Sequence, residues 1–280
     1  MEEQIIIKYK GSEFTLQDLK KQNNDFATSL ELPNEFLVNL SRLPYAMCGD
    51  IGYILASEKF HQLYSLIATA RFALISAHQK IHKHLVQWES GSAGQFWLRS
   101  QYLKNAILWY DSCKDYFLQI IFFAFDFKPI KKANSRKDYE TLLKQCRWEK
   151  MKPELAKKAE AAVLLERLTQ YKSNDSVTSV RNLSNSLKHH AHLLFKEIHS
   201  RPDVEITDVN GFTSKFIEPE RIGIDETVLL LADVHHEVIA FGKFLLEFID
   251  FGKIFTEGKD RIIDLSSKKP KEEYKKFFFH

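Results

Sequence analysis

A long stretch without proline limits which folds this chain can adopt. Between residues 51 and 89 there is no proline, and Gly52 is the only glycine. Apolar residues recur in this stretch at spacings of three and four, which is the period of one helix face. The stretch therefore predicts a long amphipathic helix, and the sequence GSAG at 91–94 predicts its end.

Other parts of the chain carry similar helix signals. Thr15 and Asp18 predict a helix start because their side chains can cap the first turn, and Pro33 suits the first turn of a short helix. The later predicted helices cover about 95–125, 153–172, 175–198 and 225–255, the last three beginning at Pro153, at Asn174 or Asp175, and at Asp225.

Strands are predicted in two places. QIIIKYK at 4–10 reads as a short apolar strand that Gly11 ends. Two alternating segments flank Asn210-Gly211 over about 203–218. Both turn positions of such a hairpin need positive φ, which asparagine and glycine adopt most readily, so a β-hairpin is predicted there.

The predicted fold is mainly α. We expect an up-and-down helical bundle over 51–256, with the hairpin inserted before the last long helix. A strand-and-helix appendage over 1–50 precedes the bundle, and a basic tail over 257–280 follows it. Ten glycines and seven prolines in 280 residues are too few for the tight turns of a sandwich or propeller.

Composition and motifs narrow the function classes. The net charge of +3 is compatible with a nucleic-acid partner, and three widely spaced cysteines without a CxxC pair predict reduced thiols. The longest apolar run, 117–127, is too short to span a bilayer, and MEEQIIIKYKG at 1–11 has acids before its short apolar run, unlike a signal peptide, so we expect a cytoplasmic protein without a membrane partner. P-loop, GxGxxG and GxSxG motifs are absent, and His78 and His82 lack the HExxH pattern, so neither cofactor nor metal is predicted.

The stretch VRNLSNSLKHHAHLLFKE at 180–197 carries most of the chemistry. On a helical wheel of about 100° per residue, Arg181, Asn185 and His189 follow one ridge at spacings of four. Lys188, His192 and Lys196 point in similar directions. The apolar residues of the stretch occupy a separate sector, namely Val180, Leu183, Leu187, Ala191 and Leu194.

These residue types suit metal-free cleavage of RNA. Histidine titrates near neutrality, so its imidazole can take a proton from one ribose oxygen or give a proton to another. Arginine gives two parallel donors to a phosphate and stabilises its extra charge. Asn185 could orient either group. A solvated helix face beside a core stripe is the alternative interpretation of the same pattern.

A family resemblance rests on Arg181-Asn182 and Lys188-His189, together with the long helix sequence YLKNAILWYDSCKDYFLQIIFFAF at 102–125 and the final long helix. With these features the chain resembles the HEPN superfamily of helical nucleic-acid-processing domains over roughly residues 55–255.

The resemblance implies a homodimer in which Arg181 and His189 of two protomers, with Asn185, form a composite metal-independent endoribonuclease site. It implies substrate contacts from Asn182, Lys188 and His192, and acidic companions at Asp111 and Asp115. Proteins of this kind belong to toxin–antitoxin, phage-defence or RNA-processing systems, so the implied partners are RNA and an antitoxin or other protein.

The alternative is a catalytically inactive HEPN module that binds RNA or a partner protein. Seven residues separate Arg181 from His189, one more than the family pattern, and Lys188 stands where the shorter spacing would place a histidine. The basic connector at 128–152 also favours binding.

Overall fold

A computed structural model of the chain confirms the predicted mainly helical class. It describes residues 6–38, 51–82, 91–125, 127, 135–189, 193–198, 205–207, 213–215, 221–249, 251, 256–257 and 263–264. Its helices are α1 (Leu16–Ser29), α2 (Ile51–His78), α3 (Ser92–Ala124), α4 (Arg136–Leu143), α5 (Trp148–Ala156), α6 (Ala162–Ser173), α7 (Asp175–His189) and α8 (Ile224–Ile249), with 3-10 turns at Asn34–Phe36 and Ala159–Ala161.

The strands of the described part are short and pair two by two. They are β1 (Ile6–Tyr9), β2 (Ser12–Thr15), β3 (Leu194–Phe195), β4 (Glu205–Thr207), β5 (Thr213–Lys215), β6 (Arg221–Ile222), β7 (Thr256–Glu257) and β8 (Ile263–Asp264). The pairs β1–β2, β4–β5 and β7–β8 are antiparallel, whereas β3 and β6 are parallel. The antiparallel β4–β5 pair confirms the predicted hairpin, and its Asn210-Gly211 turn lies outside the described residues.

The N-terminal strand and the helix start at Thr15 are confirmed, whereas Pro33 precedes only a 3-10 turn over Asn34–Phe36. β1 and β2 form a hairpin through Lys10 and Gly11, both at positive φ. Thr15 then caps α1: its hydroxyl oxygen accepts the Asp18 backbone N–H at 3.1 Å, and the Asp18 carboxylate accepts the Thr15 backbone N–H at 2.9 Å. This reciprocal capping box satisfies donors that a helix start leaves open.

The predicted end of the first long helix is wrong. α2 ends at His78, where the buried Arg99 side chain donates from Nε to the Ala77 carbonyl oxygen at 2.6 Å and so satisfies the helix end. GSAG therefore does not stop α2. Gly91 instead lies directly before α3, which begins at Ser92, and adopts a φ of +61°. The residues 83–90 lie outside the described part of the chain.

The predicted helix start at Pro153 is also wrong. Pro153 lies inside α5, which begins five residues earlier, and α6 begins only at Ala162. Met151 and Leu155 are four residues apart and both are buried, so one packed face holds the helix across the proline.

The predicted helix over 175–198 is correct only as far as His189. Leu194–Phe195 form β3, because Phe195 is fully buried and the Lys196 backbone N–H donates to the Ile222 carbonyl oxygen at 3.0 Å beside β6. The carboxylate of Glu197 then accepts the backbone N–H of Ile224 at 3.1 Å and caps the start of α8. His190 and His192 lie outside the described residues.

The last long helix is present, but its predicted cap is wrong. α8 begins at Ile224, so Asp225 lies within its first turn. The Asp225 carboxylate instead accepts from Arg99 at 2.6 Å and from the Tyr9 hydroxyl at 2.8 Å. These two partners use the carboxylate that a cap would need.

The chain divides into two compact units, with boundaries inside α2, α3 and α8. The first unit consists of Met1–Glu31, Thr69–Asp111 and Asp175–His236, and the second of Leu32–Ala68, Ser112–Asn174 and Glu237–His280. The predicted boundaries at residues 50 and 256 remain predictions.

The second unit has an aromatic core. The ring of Phe117 meets those of Tyr171 and Phe241 edge-on at centroid distances of 5.4 and 4.8 Å. Gly242 lies against the fully buried Phe36 ring, and a Cβ placed there would come within 2.4 Å of that ring. A glycine is therefore required at this close approach.

In the first unit, the buried His235 on α8 joins two other segments. Its Nε2 donates to the Glu31 carbonyl oxygen at 2.6 Å, and its Nδ1 accepts from the Tyr110 hydroxyl at 2.9 Å. The neutral imidazole ring, with one donor and one acceptor nitrogen, can make both hydrogen bonds. Burial lowers the pKa of His235 to about 4, because a charged imidazole would lose its hydration there.

We expect His235 to make the stability of this fold pH-dependent. Its pKa is lower in the folded state than in the unfolded one, so its stabilising effect is complete above the ordinary histidine range and is lost as pH falls towards 4. His235→Gln should reduce the slope of unfolding free energy against pH by up to about 1.4 kcal/mol per pH unit between pH 6.5 and 4. Urea unfolding across this range measures the slope. His236→Gln changes the exposed neighbour and removes only a smaller Coulombic contribution to that pKa shift, so it should change the slope much less than His235→Gln does. Equal slopes in the wild type and His235→Gln would contradict the assignment.

Candidate functional site

Helix α7 presents the predicted ridge at the surface of the first unit. Val177, Val180 and Ser184 form its buried face. Arg181 is half-buried, whereas Asn185 and His189 are exposed. The buried residues orient the helix, and the three ridge residues remain accessible along one side of it.

A buried carboxylate on α3 contacts α7 directly beside the ridge. The Ser184 hydroxyl donates to Asp111 Oδ2 at 2.7 Å, and Lys188 Nζ donates to the same oxygen at 3.1 Å. The Asp111 side chain is only 3% exposed, whereas that of Lys188 is 41% exposed. A buried carboxylate needs such partners, so this contact positions α7 relative to α3 within the first unit.

The structure therefore brings two of the predicted site residues together in a way that the sequence pattern did not indicate. Asp111 was predicted as an acidic companion of the ridge and Lys188 as a substrate contact, yet they form an ion pair with each other. The Lys188 ammonium is thus engaged in a contact within the fold.

The other predicted residues have different locations. Asn182 is exposed on α7, beside Arg181. Asp115 is exposed on α3 and belongs to the second unit. Lys196 is not on the helix at all, and its ammonium pairs with Glu226 at 3.1 Å. His192 falls outside the described part of the chain.

Sequence reasoning missed Ser184, which lies beside the candidate site and contacts Asp111. It lies four residues before Lys188, so both face the same way on a helix, and that spacing was the available signal. A serine within a helix is more often solvated or bonded to its own backbone. Only the position of α3 shows that it donates to a carboxylate.

The described residues support neither a metal site nor a membrane-spanning helix. Among them, no group of three or more histidine, cysteine or acidic side chains is placed to hold a metal ion. His78 is engaged elsewhere, since its Nδ1 lies 3.0 Å from the Asn23 side-chain oxygen and its ring stacks on Phe26. Within the same residues, no helix has both the length and the apolar run needed to cross a membrane.

Comparison with known proteins identifies no relative: no protein-family model, curated protein or solved structure matches the chain.

We expect the Asp111–Lys188 pair to stabilise the fold by a measurable amount. Lys188→Met leaves the buried carboxylate with less compensation, and we expect a loss of about 1 kcal/mol, reduced by the partial exposure of the lysine. Ser184→Ala should cost about 1–3 kcal/mol, because its bond to a charged acceptor is fully buried. Urea unfolding of the single variants and of an Asp111→Asn/Lys188→Met double-mutant cycle measures the coupling.

Lys196→Met is the matched control for this cycle, since it breaks an exposed pair whose side chains are 55% and 73% exposed. We expect it to leave the free energy of unfolding unchanged within experimental error, because both side chains are exposed. A coupling of zero between Asp111 and Lys188 would show that their contact does not hold α7 in place.

Proposed function

We propose that this protein is a HEPN-type, metal-independent endoribonuclease whose site is built from α7 of two protomers. The observation that carries the proposal is the accessible ridge of Arg181, Asn185 and His189 on a helix that Asp111 holds through Ser184 and Lys188 beside the ridge. The resemblance in sequence supports the same assignment. A HEPN-like bundle and a homodimer are parts of this proposal.

Each ridge residue has a role in the proposed reaction. His189 takes the proton of the ribose 2′-hydroxyl, whose oxygen attacks the phosphorus, and gives that proton to the 5′-oxygen as its bond to phosphorus breaks, which leaves a 2′,3′-cyclic phosphate. The Arg181 guanidinium binds the phosphate and stabilises the charge that develops on it. Asn185 lies between them and orients either the phosphate or the imidazole.

A second protomer would bring an Arg181 and a His189 close together, although the two residues lie far apart along one helix. Arg181 and His189 are eight residues apart, so about 12 Å of helix axis separates their backbones. In a twofold dimer the same surface patch contacts itself, with the residue order reversed between the copies. Two antiparallel copies of α7 would therefore place Arg181 of one protomer opposite the His189 of the other.

We expect purified protein to cleave single-stranded RNA in the presence of EDTA. His189→Ala should lower the cleavage rate by about 100-fold or more, which is the usual contribution of a positioned acid or base. Arg181→Ala should have an effect of about the same size, because it removes charge stabilisation at the phosphate. Cleavage of a labelled oligonucleotide followed on a gel measures both rates.

Matched controls come from two other helices. His236→Ala removes an exposed histidine of α8, and Arg167→Ala removes a half-buried arginine of α6. Both should retain the wild-type rate. If wild-type protein does not cleave RNA, the ribonuclease proposal fails, and if His189→Ala cleaves at the wild-type rate, the role of His189 is wrong.

The second candidate is a catalytically inactive module of the same kind, which binds RNA or a partner protein. The ion pair of Lys188 with Asp111 favours it, because the position nearest to the family's histidine is occupied by a charged group in a structural contact. Arg181 would then bind phosphate without any proton transfer.

We expect RNA affinity in this second case to fall steeply with salt, because each phosphate that a cation neutralises releases a counterion. Arg181→Ala should reduce the slope of log K against log salt by about 1, whereas Arg167→Ala should leave it unchanged. Fluorescence anisotropy with a labelled single-stranded RNA measures the slope. Affinity that does not depend on salt would contradict nucleic-acid binding and leave a partner protein.

A further inference from the structure

A groove in the first unit lies between α1 and the turn that follows α2. Its volume is about 370 Å³, within the range of pockets that hold small molecules. The lining residues are Leu16, Leu19, Lys20, Asn23, Asn24, Gln79, Lys80 and Ile81. The groove contains none of the α7 residues assigned above, so it is a separate feature of the molecule.

The groove carries positive charge and no acidic side chain. Lys20 and Lys80 are its charged residues. Among the described residues neither lysine forms an ion pair: Lys80 donates instead to the Gln22 side-chain oxygen at 3.1 Å. Its ammonium lies 5.2 and 5.1 Å from the ring centroids of Tyr9 and Phe14.

The surroundings of Lys80 compensate its charge only in part. The neighbouring cluster contains the cations Lys10 and Arg99 and the acids Asp225 and Glu197, and these four already pair with one another. Burial lowers the pKa of Lys80, Asp225 acts in the opposite direction, and Arg99 and Lys10 lower it further. An anion in the groove would supply a counter-charge that is not already paired with another cation.

The other lining residues suit the uncharged part of a ligand that carries such an anionic group. Leu16, Leu19 and Ile81 give an apolar wall. The side-chain oxygen of Asn23 is bonded to His78, which leaves its amide nitrogen as a donor at the groove wall. Gln79 uses its amide nitrogen on the Ile81 carbonyl oxygen, which leaves its own oxygen as an acceptor.

We propose that this groove binds a small organic anion, in which a carboxylate or phosphate contacts Lys80 and Lys20 and a short apolar body lies against Leu16, Leu19 and Ile81. Both anionic groups offer the same chemistry to an ammonium, namely a negative charge and oxygen acceptors. The body must be small, because the groove has room for about a single ring with its substituent.

Four probes separate the contributions of charge and body. Phenyl phosphate and benzoate carry the same ring with different anions, benzamide carries the ring without charge, and inorganic phosphate carries charge without the ring. We expect at least one of the two ring anions to bind about tenfold more tightly than benzamide and than inorganic phosphate, because only a ring anion uses both the ammonium groups and the apolar wall. Isothermal titration of the 280-residue chain measures each affinity, and the comparison of the two ring anions identifies the preferred group.

Variants assign the binding to the groove. Lys80→Met should weaken the binding of the ring anion about tenfold, and Lys20→Met, at an exposed position that tolerates change, should weaken it about threefold. Lys104→Met is the matched control, since Lys104 is a half-buried lysine on α3 whose pKa burial also lowers, and it does not line the groove. It should bind like the wild type.

Three results would overturn the proposal: equal affinity for benzamide and benzoate with no binding of phenyl phosphate, no binding of any ring anion, or unchanged affinity in both Lys20→Met and Lys80→Met. Lys20→Met keeps the test valid if Lys80→Met does not fold, which far-ultraviolet circular dichroism would reveal. None of these measurements involves RNA, so this proposal and the proposed function can fail independently.

Discussion

The first unit depends on the hydrogen bonds and the ion pair of the buried Arg99 guanidinium. Arg99 is 1% exposed and donates to the Ala77 carbonyl oxygen at 2.6 Å, to the Tyr9 hydroxyl at 2.5 Å and to Asp225 at 2.6 Å. One side chain of α3 thus joins the end of α2, the N-terminal hairpin and the start of α8. A buried charge without partners would be strongly destabilising, so these segments must assemble together.

The acid that balances this cation shows how tightly the cluster is built. Burial by itself would raise the pKa of Asp225, but hydrogen bonds from Lys10 and Arg99 lower it to about 2. Lys10 also pairs with Glu197, the residue that caps α8. The segment after α7 is therefore held at its far end, which explains why it leaves the helix and forms a short strand. Lys80, which lines the groove, lies within electrostatic reach of the same cluster.

The candidate site could be predicted from the sequence only along one helix. Spacing places Arg181, Asn185 and His189 on one ridge, since the α-helical period relates residues four apart. The partner of Lys188 could not be predicted in this way, because Asp111 is 77 residues earlier in the chain and meets α7 only through packing. The groove was not visible in the sequence either, since its lysines come from two separate segments.

The sequence by itself determined the helical class, the capping box at Thr15 and the antiparallel pairing of β4 with β5, because hydrophobic period, side-chain caps and turn residues act over a few neighbours. Tertiary structure decided where helices end. Arg99 ends α2, buried Met151 and Leu155 carry α5 across Pro153, and Phe195 becomes a strand residue rather than part of α7. In each case a contact between distant segments outweighs local propensity, because burying an apolar side chain or pairing a charge stabilises more than a helix preference of less than about 1 kcal/mol per residue.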